Sequence, residues 1–592
     1  MKTKLYTLML LCMIALSSCN YLDKHPEDLK TIEMVFDDEQ EVRKWLGNIY
    51  SDFPDPMNFF YGDIYLPWTQ LSDEMDIPWT RYYNDINKGN WNPSSEYKAD
   101  TWIRYYQNIR NGYVFLKHVH TNATMDAEEV KVMKGEVRFI IAYYHFLLFQ
   151  QYGPCPIVRT IASPNSSNSE LWLSRNSVDE VIDYLDKELL EVSQILPNNY
   201  TDSWMGRPTK GAALALRGRA MLYAASPLFN GNADLIKAVN PSDGKVLGSS
   251  FDKAKWQKAA DASKMVIDLG LYELYRSEDN DAFLSYRDLF LKWNKEIIFG
   301  RSTSNYESFV RHASPRSQGG YNGFGITQQM VDAYGMANGK DISDPTSGYV
   351  EDGYSVVRYD FTTNDEEKSK FKSYVQKGTY NMYVGRDPRF YASVMYNGRF
   401  WPTDGEVMDF TTDGPNGNSG SHDYSPTGYT MMKFFNPDDE LQGNYSVVYR
   451  PSVLFRLGEV YLNYIEALNE SDPGNGDIQK YYKEIRDRVG IPAAASSLTG
   501  LSQDQVREKI RAERRVELAF EGLRYFDTRR WKIADKTTGT TIYGMNINGK
   551  TNAEFFKRSE VETRVFKNKF YLYPIPQTEI DKNPNLVQNP NW

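Results

Sequence analysis

Cysteine is nearly missing from this 592-residue chain: Cys12, Cys19 and Cys155 are all it has. Two of the three stand at the extreme N-terminus, which leaves Cys155 without an internal partner. A disulfide framework and a cysteine-rich metal site are both excluded, so a hydrophobic core must hold the fold, and a chain of this length can supply one. Positive charge is in deficit, with 68 Lys and Arg against 78 Asp and Glu and a formal charge of −10. Phosphate binding needs a basic face, so the acidic balance argues against nucleic acid as a partner. No apolar run after Cys19 approaches the roughly 20 residues of a membrane-spanning helix. There is no His-Glu-x-x-His string and no P-loop string. His118 and His120 stand two apart on a predicted helix and point in different directions, so they do not read as a metal pair.

The N-terminus supplies what the rest of the chain lacks. Lys2 and Lys4 precede an apolar stretch of about a dozen residues, which ends in Leu16-Ser17-Ser18-Cys19. A basic start, an apolar middle and small residues at a cleavage site make a secretory signal peptide over residues 1–18. A cysteine directly after the site makes it the leader of a bacterial lipoprotein. Cleavage before Cys19 would free its amino group, and that group and the thiol would carry acyl chains. Each buried methylene contributes about 0.8 kcal/mol, and stable anchoring needs more than one chain. The leader holds two lysines and no acid, so its removal takes the formal charge from −10 to −12. The mature product should be a hydrophilic body held on a membrane surface.

Residues 19–34 read as a lipidated tether containing Pro26. A helical scaffold follows over about 35–275 and returns over 451–531. Its clearest helix is 127–151, where Val130, Met133, Val137, Ile140, Ile141, Tyr144, Leu147 and Leu148 recur at helical spacing and Gly153-Pro154 ends the run. Ser177 caps a second helix over 178–196, with Asp179 and Glu180 in its first turn. Further helices are predicted at 101–118, 209–225, 252–269, 452–469, 477–489 and 503–530. Short loops join many of them, as in antiparallel pairs, which suggests a tetratricopeptide-like stack without a clean 34-residue repeat. Residues 276–450 are rich in Gly, Asn, Asp, Ser and Tyr and read as a loop-rich insertion with short strands. Residues 532–592 form a C-terminal extended segment. The chain therefore reads as mostly helical, interrupted by the loop-rich insertion.

Aromatics make up 14% of the chain, with 43 tyrosines and 12 tryptophans. Their rings join an apolar face to a polar edge, and sugar rings share that duality. The segment 73–92 interleaves such rings with polar groups: Asp73, Trp79, Arg81, Tyr82, Tyr83, Asn84, Asn90, Trp91 and Asn92. Loops on a rigid scaffold are where binding usually sits. The charge-dense stretch Glu513–Trp531 reads as structural. Val516, Ala519, Phe520 and Leu523 form a core stripe, and Glu517, Glu521, Arg514 and Arg524 have spacings that favour ion pairs on one helix. No spacing singles out a carboxylate pair for glycoside cleavage.

An ordered set of motifs resembles the SusD/RagB family of Bacteroidetes outer-membrane nutrient-binding lipoproteins. They are Gly135-Glu136-Val137-Arg138-Phe139 through Tyr152-Gly153-Pro154-Cys155-Pro156, Arg386-Asp387-Pro388-Arg389-Phe390, and Arg456-Leu457-Gly458-Glu459-Val460-Tyr461-Leu462 with Glu466-Ala467. Glu513-Arg514-Arg515-Val516-Glu517-Leu518 follows with Glu521-Gly522-Leu523-Arg524-Tyr525-Phe526-Asp527 and Arg530-Trp531. The set closes with Leu572-Tyr573-Pro574-Ile575-Pro576, Asn583-Pro584 and Gln588-Asn589-Pro590. Asn591 replaces the glycine of the family's usual Asn-Pro-Gly-Trp ending, and asparagine is the residue after glycine best able to take left-handed angles.

The resemblance implies one SusD-like domain over 35–592, mostly α, with tetratricopeptide-like helix pairs on one side and an irregular loop-rich side carrying short strands. It also implies a non-enzymatic role on the outer membrane's exterior, capturing an oligosaccharide for a SusC-like TonB-dependent transporter. It implies a ligand-binding aromatic and an Asn in the 73–92 loop. Opposing contacts would come from 293–324, where Trp293, Arg301, Tyr306, Arg311, Tyr321, Asn322 and Phe324 stand. No cofactor is expected; a structural calcium in the loop region has no spacing that marks it. Two rival readings stay open: a surface glycoside hydrolase, and a tetratricopeptide-like scaffold that binds proteins.

Overall fold

The computed structural model describes residues 30–592 except 58–67, 96–100, 164, 202–203, 305, 357–374, 376 and 444. Cys19 and the tether up to residue 29 lie outside the described residues, as do the side chains of Tyr82 and Tyr83. The principal helices are α1 Glu39–Ile49, α2 Trp102–His118, α3 Ala127–Tyr152, α4 Val178–Val192, α5 Lys210–Ala225 and α6 Ala254–Ile267. They continue with α7 Tyr306–Ala313, α8 Leu457–Ser471, α9 Gly476–Arg488, α10 Gln503–Glu517 and α11 Arg524–Arg530. Neighbours pack in succession: α2 on α3, α3 on α4, α4 on α5, α5 on α6, α6 on α8, and α8 on both α9 and α10.

Local chemistry sets the helix ends. Asp126 caps α3 by accepting from Glu129 N, and Ser177 and Glu180 close a reciprocal capping box on α4. Such caps satisfy backbone N–H groups that have no partner in the first turn. Gly153 ends α3 at φ 76°. Helix α5, twelve of whose 16 residues are Ala, Gly, Leu or Met, is buried nearly all round. A Cβ on its Gly218 would approach Ser263 Oγ of α6 to 3.1 Å, so the small residue lets the two helices close up.

The described strands form four two-stranded antiparallel sheets. β1 Met75–Asp76 pairs β3 Gly325–Ile326, and β2 Ile297–Arg301 pairs β6 Ser452–Arg456. β4 Val394–Met395 pairs β5 Thr430–Met431, and β7 Thr541–Met545 pairs β8 Arg558–Thr563. The helix expected from residue 452 thus begins only at Leu457. Residues 452–456 are a wholly buried strand, and an apolar run of that length carries no period to tell the two apart.

The helix expected over 503–530 is also two helices. Phe520 and Gly522 take φ of 62° and 74° and turn the chain between α10 and α11. The expected pairs within one helix are replaced by partners from elsewhere. Arg389, Arg456, Arg486, Arg488 and Lys433 interlock with Asp387, Glu296, Glu513, Glu517 and Glu521, five cations against five acids. Glu517 alone meets Arg456 at 2.7 Å, Arg389 at 3.0 Å, and Arg488. All ten side chains are buried or nearly so. A buried charge is tolerated only when paired and hydrogen-bonded, and here the count balances.

The C-terminal segment folds back onto the body. Asn591 takes φ 70°, as its substitution for glycine requires. Trp592 then lays its ring 4.7 Å from Trp91 and donates Nε1–H to Leu572 O at 3.0 Å.

Candidate functional site

The two-residue sheet β1–β3 joins the two aromatic segments. Met75 faces Ile326 and Asp76 faces Gly325, while Thr327 bonds through N–H to Glu74 O and through Oγ1 to Asp73 O. The chain leaving β1 carries Trp79 and Arg81, and the chain entering β3 carries Tyr321. Their rings meet across His312 of α7: Trp79 stands edge-on at 5.3 Å and Tyr321 at 4.9 Å. Trp79 Nε1 donates to Asp423 Oδ1 at 2.9 Å. The indole lies where Gly323 has no side chain; a Cβ there would stand 1.8 Å from Trp79 Cη2. Trp79 and Tyr321 are half-buried, and Arg81 is exposed beside them. Burial pushes the His312 imidazole down to about 4, so it is neutral at ordinary pH, with Nδ1–H donated to Ser308 O.

Arg311 precedes His312 on α7. Its guanidinium lies 5.2 Å from the Tyr321 ring centre and 4.9 Å from that of Tyr445. A second aromatic group begins farther along: Trp293 Nε1 donates to Tyr449 OH at 3.0 Å, and Tyr449 stands edge-on to Tyr306 at 6.1 Å. Tyr445 and Tyr449 were not among the sequence candidates. Their signal was two tyrosines, four apart, closing the turn-rich stretch just before β6.

Three candidates face inward. Asp73 is buried and gripped by Arg524 at 2.8 Å and Arg515 at 2.9 Å. Burial raises its carboxyl, but the two guanidiniums outweigh that and hold it well below the usual range. Trp91 is buried among Phe570, Tyr573 and Trp592, with ring centres 5.3, 4.8 and 4.7 Å away. Asn322 is fully buried at φ 54°, and its Nδ2 bonds Asn416 O at 2.8 Å, so it shapes the turn that presents Tyr321. None of the three offers a surface to a ligand.

Arg301 lies elsewhere. It donates to Phe53 O at 2.7 Å and lines a separate cleft of about 340 Å³ with Tyr50, Trp204 and Arg207. Asn90 is exposed and donates its backbone N–H to Asp85 O. Phe324 is buried and stacked on His312 at 5.7 Å.

Among the described residues no group of three or more His, Cys, Asp or Glu could hold a metal ion. His118 packs on Phe36, and His120 reaches Asp37 at 2.9 Å. Nor is any described helix long and apolar enough to cross a membrane.

The sequence pattern of the SusD family matches residues 295–592, half of the chain, and a related pattern described as "starch-binding associating with outer membrane" matches residues 20–222. The chain belongs to the SusD family. SusD-like protein P2 of Formosa agariphila is 32% identical over 138 residues, which is 23% of this chain and 24% of that one. Starch-binding protein SusD of Bacteroides thetaiotaomicron is 23% identical across 88% of this chain and 82% of its own. The crystal structure of the SusD-like protein BF3747 of Bacteroides fragilis superposes with a TM-score of 0.72 at 26% identity, covering 94% of this chain and 98% of that one. Trp79 and Arg81 fall within one matched pattern and Tyr321, Asp423 and Tyr445 within the other, so the candidate site draws on both parts of the chain.

Proposed function

We propose that this SusD-family protein is a glycan-binding lipoprotein of the outer-membrane surface. Acyl chains on Cys19 anchor it, the Trp79–Tyr321 platform captures an oligosaccharide, and a SusC-like TonB-dependent transporter receives the cargo uncleaved. The convergence of Trp79 and Tyr321 over His312, with Arg81, Arg311 and Asp423 around them, carries the reading. Half-exposed rings offer faces to sugar C–H groups, and the polar side chains suit hydroxyl rims. The family description that names starch binding and the outer membrane supports it, as does the name of the similar Bacteroides thetaiotaomicron protein. An aromatic contact adds about 1 kcal/mol beyond area by analogy with ring pairs. A handful gives a Kd of about micromolar to millimolar, which suits cargo that must be released.

A broad glycan array followed by calorimetry tests this. Wild type should bind at least one oligosaccharide, and Trp79→Ala should lose most of that affinity. An array without a single ligand, or reducing ends accumulating in the mixture, would overturn it. Mass spectrometry of membrane-extracted protein should find an acylated Cys19 as the first residue, and an unmodified N-terminus would remove the anchor from the proposal.

A further inference from the structure

We infer that the saccharide held at this platform is acidic, carrying a uronate carboxylate or a sulfate ester, and that Arg311 is the residue that reads the charge. The inference rests on the glycan-binding reading above.

Most arginines of this protein are spoken for. Arg316, on the same face, donates to Pro415 O and Gly417 O, and Arg450 pairs with Asp439. Arg311 differs. It makes no ion pair and donates no hydrogen bond among the described residues, and its Nε is buried without a partner. Its guanidinium carbon instead lies over the rings of Tyr321 and Tyr445, 5.2 and 4.9 Å from their centres. Aromatic rings attract a guanidinium but occupy none of its N–H groups, which leaves the terminal Nη groups for a partner. A planar guanidinium edge matches a carboxylate or sulfate with two parallel charge-assisted hydrogen bonds, a geometry that a lone hydroxyl cannot return.

The backbone on both sides is held in costly conformations to build this arrangement. Tyr445 takes φ 36°, inside a hairpin closed by paired backbone bonds between Glu440 and Ser446, and Asn322 takes φ 54° directly after Tyr321. A bulky residue at positive φ is an outlier that persists only where its surroundings impose it, and such residues gather at ligand clamps. Neither nearby acid forms an ion pair with the arginine. Asp423 receives Trp79 Nε1, and Glu307, one turn earlier on α7, makes no ion pair with Arg311.

Calorimetry on the full mature chain tests the idea with two matched pairs. One is tetragalacturonate and its methyl ester; the other is a chondroitin sulfate oligosaccharide and its desulfated form, whose remaining uronates are methyl-esterified. At least one acidic member should bind about tenfold or more tighter than its neutral counterpart, the scale of a charge-assisted pair. A response in the first pair assigns a carboxylate; a response in the second is resolved by the desulfated oligosaccharide with its uronates left free, which keeps the affinity if the carboxylate is read and loses it if the sulfate is. Arg311→Gln should erase that preference by weakening the acidic member far more than the neutral one, and Arg311→Lys should restore part of it. Thermal melts of both variants alongside wild type guard against misfolding. If wild type binds acidic and neutral members equally, or Arg311→Gln weakens both alike, the inference fails. If the protein binds only neutral sugars from the array through Trp79, the inference fails while the glycan-binding reading stands. If it binds nothing at all, both fall.

Discussion

Trp79 and Trp91 stand in one aromatic-rich segment and end in opposite surroundings. Trp91 is enclosed by Phe570, Tyr573 and Trp592, all delivered by the C-terminal segment. Trp79 stands edge-on to His312, donates to the carboxylate of Asp423, and stays partly at the surface. Arginine repeats the contrast: Arg488 is locked between Glu296 and Glu517 in the interior, whereas Arg311 has tyrosine faces and no acid. Residue type nominates a place; the groups that arrive from far along the chain decide whether it becomes core or site.

The sharpest way to break the comparison is at Glu517. Glu517→Gln leaves Arg389, Arg456 and Arg488 short of a counter-charge in a sealed interior. Removing one partner of a buried pair costs about 3–5 kcal/mol, so the denaturant midpoint should fall steeply while the surviving folded fraction keeps its glycan affinity. Trp91→Ala should cost a similar 3–5 kcal/mol through cavity formation, again with affinity intact. Trp79→Ala should do the reverse, with affinity down about tenfold, or 1.4 kcal/mol, and the midpoint nearly unmoved. If the two tryptophan variants behave alike in both assays, the division between core and platform is wrong.

A smaller effect sits beside β1. Burial pushes the Glu74 carboxyl up to about 7, and burial with Glu562 nearby does the same to Asp76. Unfolded, these groups ionise near 4, so from about pH 4 to 7 the folded state holds more protons. Stability should therefore decline as pH rises through that window. Glu74→Gln should flatten the slope in urea titrations at several pH values. Glu513, Glu517 and Glu521 are shifted downward by their arginines and, for Glu521, Lys433. Their contribution is present above about pH 4 and is lost in stronger acid, whichever variant is used.

The helical scaffold was largely legible because α3 and α4 carry their own period and caps. Ser177 and the left-handed Asn591 could be read from single residues. What could not be read depends on distant partners. Nothing local separates strand Ser452–Arg456 from a helix, because its evidence is β2, far upstream. Nothing local breaks the chain at Phe520 either; Glu517 and Glu521 are claimed by Arg389, Lys433, Arg456 and Arg488 from outside the stretch. Asp73 looked like a ligand contact for the same reason, since its two arginines lie near the other end of the sequence. Tyr321 could be nominated, but its meeting with Trp79 was set by the pairing of β1 with β3.

That pairing has a mechanical outcome. A ribbon of two residues per strand is too short to persist by itself, so it lives or dies with the loops it joins. Neither loop can swing away without unzipping it, and cargo that steadies one ring must quiet its opposite number as well. Deuterium uptake at Met75, Asp76, Gly325 and Ile326 should accordingly slow in concert upon loading, like two jaws closing on a common hinge pin.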